Sequence, residues 1–376
     1  MDQKGHVIVS VTNDLVTDNR VNKICSFLVS EGYSLTLVGR ELSGSLPLNV
    51  RNYKTKRFSL LFTKGPFFYI EFNIRLFIYL LFHKSSLLVS NDLDTLLANY
   101  LASKFKSSKL VYDTHEYFTE VPGLVENPFK QKIWLSVEKW IFPKLKNVYT
   151  VNDSIAEIYS EKYKVPVHVI RNVAPNFVSS ENKSRKDLGL PQDKFIIIIQ
   201  GSGINKRRGA EEAVDAMKYI ENSLLLIIGS GDVLNELKSK VERENLKAKV
   251  SFLPKMPYSE MIQYTMNADL GLAIDHTDIL NHKLALPNKF FDYIQAEIPV
   301  LATEIIEIEK IIKKYNIGYV LDDGLTAIHL ADKINQIRSN YSNQIVELKI
   351  NLKKAKSIEN WDVELEKLKE IYANLN

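Results

Sequence analysis

The sequence predicts an α/β protein built from two doubly wound, parallel-sheet domains. Three observations carry that expectation. Short apolar runs recur along the whole chain, helix-periodic segments separate most of them, and one polar, proline-bearing stretch interrupts the pattern midway. Alternation of strands and helices specifies βαβ units, and therefore parallel sheets. The apolar runs of the first half are residues 7–11, 35–38, 87–89, 110–112, 148–151 and 167–170. Those of the second half are 195–199, 224–228, 250–253, 270–274, 300–302 and 319–321. Helical segments are expected at 22–30, 93–105, 211–219, 236–244 and 259–266. Residues 172–184 are polar, contain Pro175 and lack periodicity, which marks a linker. The expected domains are 1–175 and 176–357, facing each other across a cleft, followed by a terminal helix over 358–376 in which Trp361 is a candidate anchor.

The bulk numbers narrow the function classes. The chain has 376 residues, 45% hydrophobic and 25% charged, as in an ordinary water-soluble globular protein. Cys25 is the single cysteine, which excludes an intramolecular disulfide and a cysteine-rich zinc site and agrees with a reducing cytoplasm. A net charge of +4 is mild for this length, so a protein that coats nucleic acid is not expected. The start of the chain has no signal-peptide pattern. The most apolar stretch, residues 67–82, is interrupted by Glu71, Asn73 and Arg75, and no transmembrane helix is expected from it. It reads as a core or domain-packing helix. A second reading is a membrane-facing helix assisted by Arg51, Lys54, Lys56, Arg57 and Lys64.

Residues 195–214 hold the strongest chemical signal. Four consecutive isoleucines fit a central strand covered on both faces. Gly201 and Gly203 then permit a sharp turn and close approach to a ligand. Lys206, Arg207 and Arg208 bring positive charge to the start of the next helix, whose free N–H groups favour an anion. That combination suits a diphosphate, although a solvated surface loop has the same composition. A second segment, residues 285–303, begins with Pro287, which favours a helix start, and Asn288, a candidate cap. Asn288 and Asp292 are four apart and share a face, where a carboxylate can meet a ribose diol. Gly231, in the Gly-Ser-Gly-Asp run after the strand at 224–228, is expected at the same carboxyl edge. Asp92-Leu-Asp94 has the spacing of a metal pair but is expected to open a helix.

Four stretches taken in order resemble the retaining GT-B glycosyltransferases, the glycogen-synthase and bacterial mannosyltransferase-like group of the family 4 type. They are residues 14–40, the Tyr-Asp-Thr-His-Glu run beginning at Tyr112, residues 200–217 and residues 286–303. The resemblance covers nearly the whole chain and implies a GT-B fold of two Rossmann-like domains. It implies a transferase moving a sugar from a UDP- or GDP-sugar to a glycan or lipid-linked acceptor, without a metal or other cofactor. It also implies a cytoplasmic protein of surface-polysaccharide or glycoconjugate assembly, with peripheral contact to the inner membrane face. Carried over position by position, Arg208 stands where the family places a phosphate-binding Lys, and Ser202 where it places an Arg. Of two family glutamates separated by seven residues, the ribose-binding one falls on Asp292 and the other on Leu284, which is apolar. Asn288 and Lys289 are then expected to help hold the donor. His115 falls on a histidine that contacts the donor sugar near the reacting carbon. Asp18, Arg20 and Glu116 fall on the acceptor side. His115 and Arg208 are therefore the expected catalytic residues, with Gly201, Ser202, Gly203, Lys206, Gly231, Asn288, Lys289 and Asp292 as donor contacts. Two other readings of the same architecture are a nucleotide-sugar 2-epimerase and a non-catalytic binding or scaffold protein, the latter favoured by Ser202 and Leu284.

Overall fold

A computed structural model describes residues 4–16, 18–48, 50–175, 182–322 and 324–375. Residues 176–181 of the expected linker lie outside the described residues. The chain forms two compact units: Met1–Arg171 together with Leu365–Asn376, and Asn172–Glu364.

The first unit runs β1 (His6–Ser10), α1 (Asn19–Ser30), β2 (Ser34–Glu41), β3 (Lys54–Ser59), α2 (Gly65–Phe82), β4 (Leu87–Asn91) and α3 (Leu93–Lys106). It continues through β5 (Lys109–Thr114), α4 (Pro122–Val125), α5 (Pro128–Ile141), β6 (Asn147–Thr150), α6 (Asp153–Tyr163) and β7 (Val167–Val169). The strands form one sheet in the order β3-β2-β1-β4-β5-β6-β7, parallel throughout. Strand order reverses between β1 and β4. That is the switch point at which open α/β sheets bind ligands, beyond the carboxyl ends of the strands.

The second unit runs β8 (Phe195–Gly201), α7 (Ala210–Ala216), β9 (Ser223–Gly229), α8 (Leu234–Arg243), β10 (Val250–Pro254), α9 (Tyr258–Met266), β11 (Leu270–Ala273) and α10 (Leu280–Lys283). It continues through α11 (Asn288–Gln295), β12 (Val300–Thr303), α12 (Ile306–Tyr315), β13 (Gly318–Leu321) and α13 (Ala327–Ile358). Its sheet, β10-β9-β8-β11-β12-β13, is also all parallel and reverses between β8 and β11. Ile196 to Ile199 on β8 are at most 2% exposed, as a strand covered on both faces requires. Burying each such side chain stabilises the unit by about 1.5–3 kcal/mol. The last helix, α14 (Trp361–Ala373), starts with buried Trp361, whose backbone N–H donates to the Ala174 carbonyl. Near its end, Tyr372 packs edge-on against Phe27 and meets the Tyr149 hydroxyl at 3.3 Å, within the first unit.

All the expected strands form. The thirteenth, β3, was not expected: Lys54-Thr-Lys-Arg-Phe-Ser59 buries only Phe58 and borders solvent at the sheet edge. Edge strands carry lysines because charge discourages pairing with another chain, and this removes the apolar signal. In α2, the polar interruptions do not break the helix. Arg75 pairs with Glu71 one turn away at 2.8 Å, and Asn73 donates to the carbonyls of Tyr69 and Asp94. The helix is therefore 18 residues, long and apolar enough by length and composition to cross a membrane. One face of it, Phe68, Phe72, Leu76 and Leu80, is buried in the core of the first unit with Ile8, Val38 and Leu88. The other face leaves Phe67, Ile70, Ile74, Ile78 and Phe82 exposed.

Candidate active site

The glycine turn after β8 and the loop after β11 meet at the switch point of the second sheet. Gly201, at the end of β8, has φ +145, which favours glycine. Gly209 has φ +79, and a Cβ there would lie 2.1 Å from the Ile274 carbonyl oxygen. A side chain is excluded, so the segment carrying Arg208 runs close along the end of β11. A pocket of about 230 Å³ opens there, lined by Gln200, Gly201, Ser202, Gly203, Ile204, Arg208, Asp275, Pro287, Asn288 and Lys289, together with Ile199.

Asp275 organises this pocket. Its carboxylate is fully buried; one oxygen pairs with the Arg208 guanidinium and the other lies 3.4 Å from the Lys289 ammonium. Burial opposes ionisation, but Lys289 and then Arg208 outweigh it and hold the carboxyl below its usual value. Two cations around one anion leave a net positive pocket floor, oriented before any ligand arrives. Sequence reasoning missed Asp275. The available signal was its place directly after the apolar run at 270–274, at a strand's carboxyl end.

Of the expected donor contacts, Gly201, Ser202, Gly203, Arg208, Asn288 and Lys289 come together on this one pocket. Asn288 is the first residue of α11 rather than its cap, a correction with a simple cause. Pro287, at φ −71 and ψ 145, occupies the cap position, and no side chain caps the helix. Asp292 lies one turn further along, buried, and accepts a hydrogen bond from Gln200 Nε2 at 3.1 Å. It thus orients Gln200, which lines the pocket. Lys206 is exposed off the pocket wall, its backbone N–H donating to Asp232. Arg207 is turned to Asp278. Gly231 packs against the Ile204 backbone, where a Cβ would meet the carbonyl oxygen at 1.9 Å. Leu284 is 3% exposed, in keeping with its apolar character.

In the first unit, His115 follows β5 with its side chain one-fifth exposed. Its Nδ1 lies 3.3 Å from Asp92, and its Nε2 lies 3.3 Å from Asp113 and 3.2 Å from the Asn91 side-chain oxygen. Burial alone would lower its pKa, but Asp92 and then Asp113 raise it to about 9. The side chain is therefore an imidazolium at neutral pH. It supplies positive charge and donated hydrogen bonds, not a general base. Asp113 also takes the Arg20 guanidinium at 2.7 Å, with both groups buried. Arg20 additionally donates to the Ile170 carbonyl. The expected acceptor-facing position of Arg20 is thus corrected: at 2% exposure it braces the His115 support from inside. Asp18 caps α1, accepting from the Val21 N–H at 3.0 Å, while its other oxygen accepts from Asn13. Glu116 borders a separate apolar pocket of the first unit. Asp92 and Asp94 do open α3, as the sequence suggested. Among the described residues, no three His, Cys, Asp or Glu side chains are grouped to hold a metal ion.

Comparison with known proteins separates along the same two units. The model described as Glycosyltransferase Family 4 matches residues 18–174. The model described as Glycosyl transferases group 1 matches residues 180–356. The chain is a glycosyltransferase. Solved structures share its GT-B fold at low identity. Sucrose-phosphate synthase from Thermosynechococcus elongatus superposes with a TM-score of 0.81 at 15% identity, covering 98% of each chain. A glycosyltransferase from Rickettsia africae gives 0.75 at 16% identity, over 100% of this chain and 99% of that one. Anabaena HepE in complex with UDP-glucose gives 0.73 at 13% identity, over 99% of this chain and 100% of that one. No curated protein matches by sequence. In this glycosyltransferase, the Arg208 pocket lies within the group 1 match and His115 within the family 4 match.

Proposed function

We propose that this glycosyltransferase binds the diphosphate of a UDP- or GDP-hexose in the Arg208 pocket and transfers the sugar with retention of configuration. The observation that carries the reading is the Arg208–Asp275–Lys289 arrangement at the switch point of the second sheet. A carboxylate fixes two cations where a leaving diphosphate gains charge, and such preorganised charge is the usual largest contribution to transfer catalysis. Arg208 presents a planar fork suited to phosphate, and Lys289 a point charge. The start of α11 adds N–H groups at Asn288 and Lys289. The structural likeness to HepE, solved with UDP-glucose, supports a nucleotide-sugar donor.

In the proposed reaction, the bond between the anomeric carbon and the diphosphate oxygen breaks as the acceptor oxygen bonds to the same face. The acceptor hydroxyl's proton passes to the leaving phosphate oxygen. No metal is assigned to the step. The acceptor is proposed to be a glycan or lipid-linked glycan of surface-polysaccharide assembly, met at the cytoplasmic membrane face.

The test is a thermal-shift panel of UDP, GDP, ADP and their common sugars, with and without magnesium. A ligand that binds only the native state raises the midpoint by mass action. A selective rise with one diphosphate, independent of magnesium and lost in Arg208→Ala, supports the reading and names the base. No rise with any member in a folded sample sinks it. Proton NMR of the product's anomeric signal then decides retention.

A further inference from the structure

Gln200 breaks the apolar pattern of β8. Ile197 and Ile199 pack into the core with Ala210, Ala213 and Val214 of α7, so Gln200, of the alternate register, faces the other side with Ile196 and Ile198. It is 2% exposed, and a buried amide is costly unless both its ends are bonded. Here both are. Gln200 Oε1 accepts from the Thr265 hydroxyl of α9, and Gln200 Nε2 donates to Asp292 of α11 at 3.1 Å. Thr265 is fully buried and Asp292 is 8% exposed. The arrangement admits one orientation of the amide. An ionised carboxylate only accepts, so the nitrogen must face Asp292 and the oxygen Thr265. The Thr265 hydroxyl has a second acceptor, the Met261 carbonyl at 3.1 Å, but Gln200 is the closer one.

Packing does not account for this relay. Apolar side chains of the same shape would hold α9 and α11 on β8 about as well, because a buried hydrogen bond adds little net stability. What the relay does is fix a carboxylate. Asp292 lies one turn of α11 beyond Asn288, and both Asn288 and Gln200 line the Arg208 pocket. Tyr258, about two turns from Thr265 on α9, faces the same carboxylate. Burial, and then Asp292, push its phenol pKa up, so its proton stays in place. A carboxylate held at this wall needs hydroxyl donors. The cationic pocket floor suits a diphosphate, and the ribose attached to that diphosphate carries a diol.

We propose that Gln200, locked by Thr265, is a positioning residue that aims the Asp292 carboxylate at the ribose diol of the donor. The proposal rests on the donor reading above and names what sets its ribose preference.

The experiment is calorimetric titration of the full chain with UDP and 2′-deoxy-UDP, and with GDP and 2′-deoxy-GDP. Losing a hydrogen bond to a carboxylate should weaken binding of the deoxy form to the parent by about tenfold or more. Thr265→Val removes the hydroxyl at nearly constant volume. It should bring the two forms within about threefold by weakening the ribose form, while the deoxy form binds as it does to the parent. Gln200→Leu should do the same, and it keeps the test open if Thr265→Val fails to fold. Thr265→Ser retains the hydroxyl and should retain the preference. A role in packing alone would lower the urea midpoint without changing the ratio of the two affinities. An unchanged ratio in folded Thr265→Val or Gln200→Leu therefore overturns the proposal. Equal binding of the two forms by the parent also overturns it and leaves the donor reading standing. No binding of any of the four nucleotides overturns the donor reading, and this proposal falls with it.

Discussion

Arg208 and Asp275 form an ion pair in which the carboxylate is fully buried and the guanidinium is 32% exposed. The pair therefore has an inward anchor and an outward working face. Lys289 joins the same carboxylate from the start of α11, so two segments distant in sequence converge on one charge.

Arg208→Ala should lower kcat/KM by on the order of 10²-fold, equivalent to about 2.7 kcal/mol of transition-state stabilisation. The loss should appear in kcat as well as KM, because charge on the leaving diphosphate is greatest after the ground state. Steady-state kinetics on a variant with native circular dichroism checks this. A loss below about threefold in a folded variant removes Arg208 from the site.

Asp275→Asn should destabilise the second unit by on the order of 3 kcal/mol, since it leaves two cations facing a neutral amide. The carboxyl's folded pKa lies below its unfolded value, so its stabilising contribution is present above that unfolded value. It is lost only as pH falls through the lower, folded value. The gap in urea midpoint between the variant and the parent should be constant from about pH 6 to about pH 8 and close only in acid. A gap that already varies between those two values means that another group carries the stabilisation.

The strands were legible because buried parallel strands read as apolar runs, and Ile196 to Ile199 is the plainest case. β3 was not legible, because an edge strand bearing Lys54, Lys56 and Arg57 looks like a loop. The glycine turn and Arg208 could be found from local sequence, since turn, cation and helix start lie within a few residues. Asp275 could not be linked to Arg208 that way, because only the parallel pairing of β8 with β11 brings them together. Arg20 was assigned to the acceptor side by resemblance, and local sequence could not show its buried pairing because its partner Asp113 lies 93 residues away.

Arg20→Ala should cost about 3–5 kcal/mol, because it leaves the Asp113 carboxylate buried without its main partner. An acceptor-binding role would instead raise the acceptor KM with little change in stability. Urea unfolding beside acceptor kinetics separates the two. An unchanged midpoint with a raised KM returns Arg20 to the acceptor side.

The charge on His115 gives a pH signature. Its folded pKa, about 9, is above its usual value, so its contribution to stability is complete below the unfolded pKa and fades as pH rises through about 9. Activity that needs the imidazolium should be flat through neutrality and fall above that point. His115→Gln should lose the alkaline limb along with most of the rate. A parent profile that rises from pH 6 to pH 8 as an ordinary histidine deprotonates would show a base instead.

Asp94 also loses stability as pH rises, but through a penalty on its own charged form. It is buried beside Asp92, and burial first, then that neighbour, push its pKa up to about 7, although Thr12 donates to it at 2.5 Å. The unfolded chain releases this proton near the ordinary aspartate value, so folding opposes ionisation across the interval between the two values. The penalty is absent in acid, grows as pH rises, and is complete above about 7. Asp94→Asn keeps an oxygen for the Thr12 hydroxyl and cannot ionise. It should be near neutral at about pH 4 and stabilising by on the order of 2–4 kcal/mol at about pH 8. Paired urea titrations at the two values measure the difference. Equal effects at both would mean that Asp94 ionises as freely in the folded chain as in the unfolded one, and that the Thr12 hydrogen bond offsets the burial.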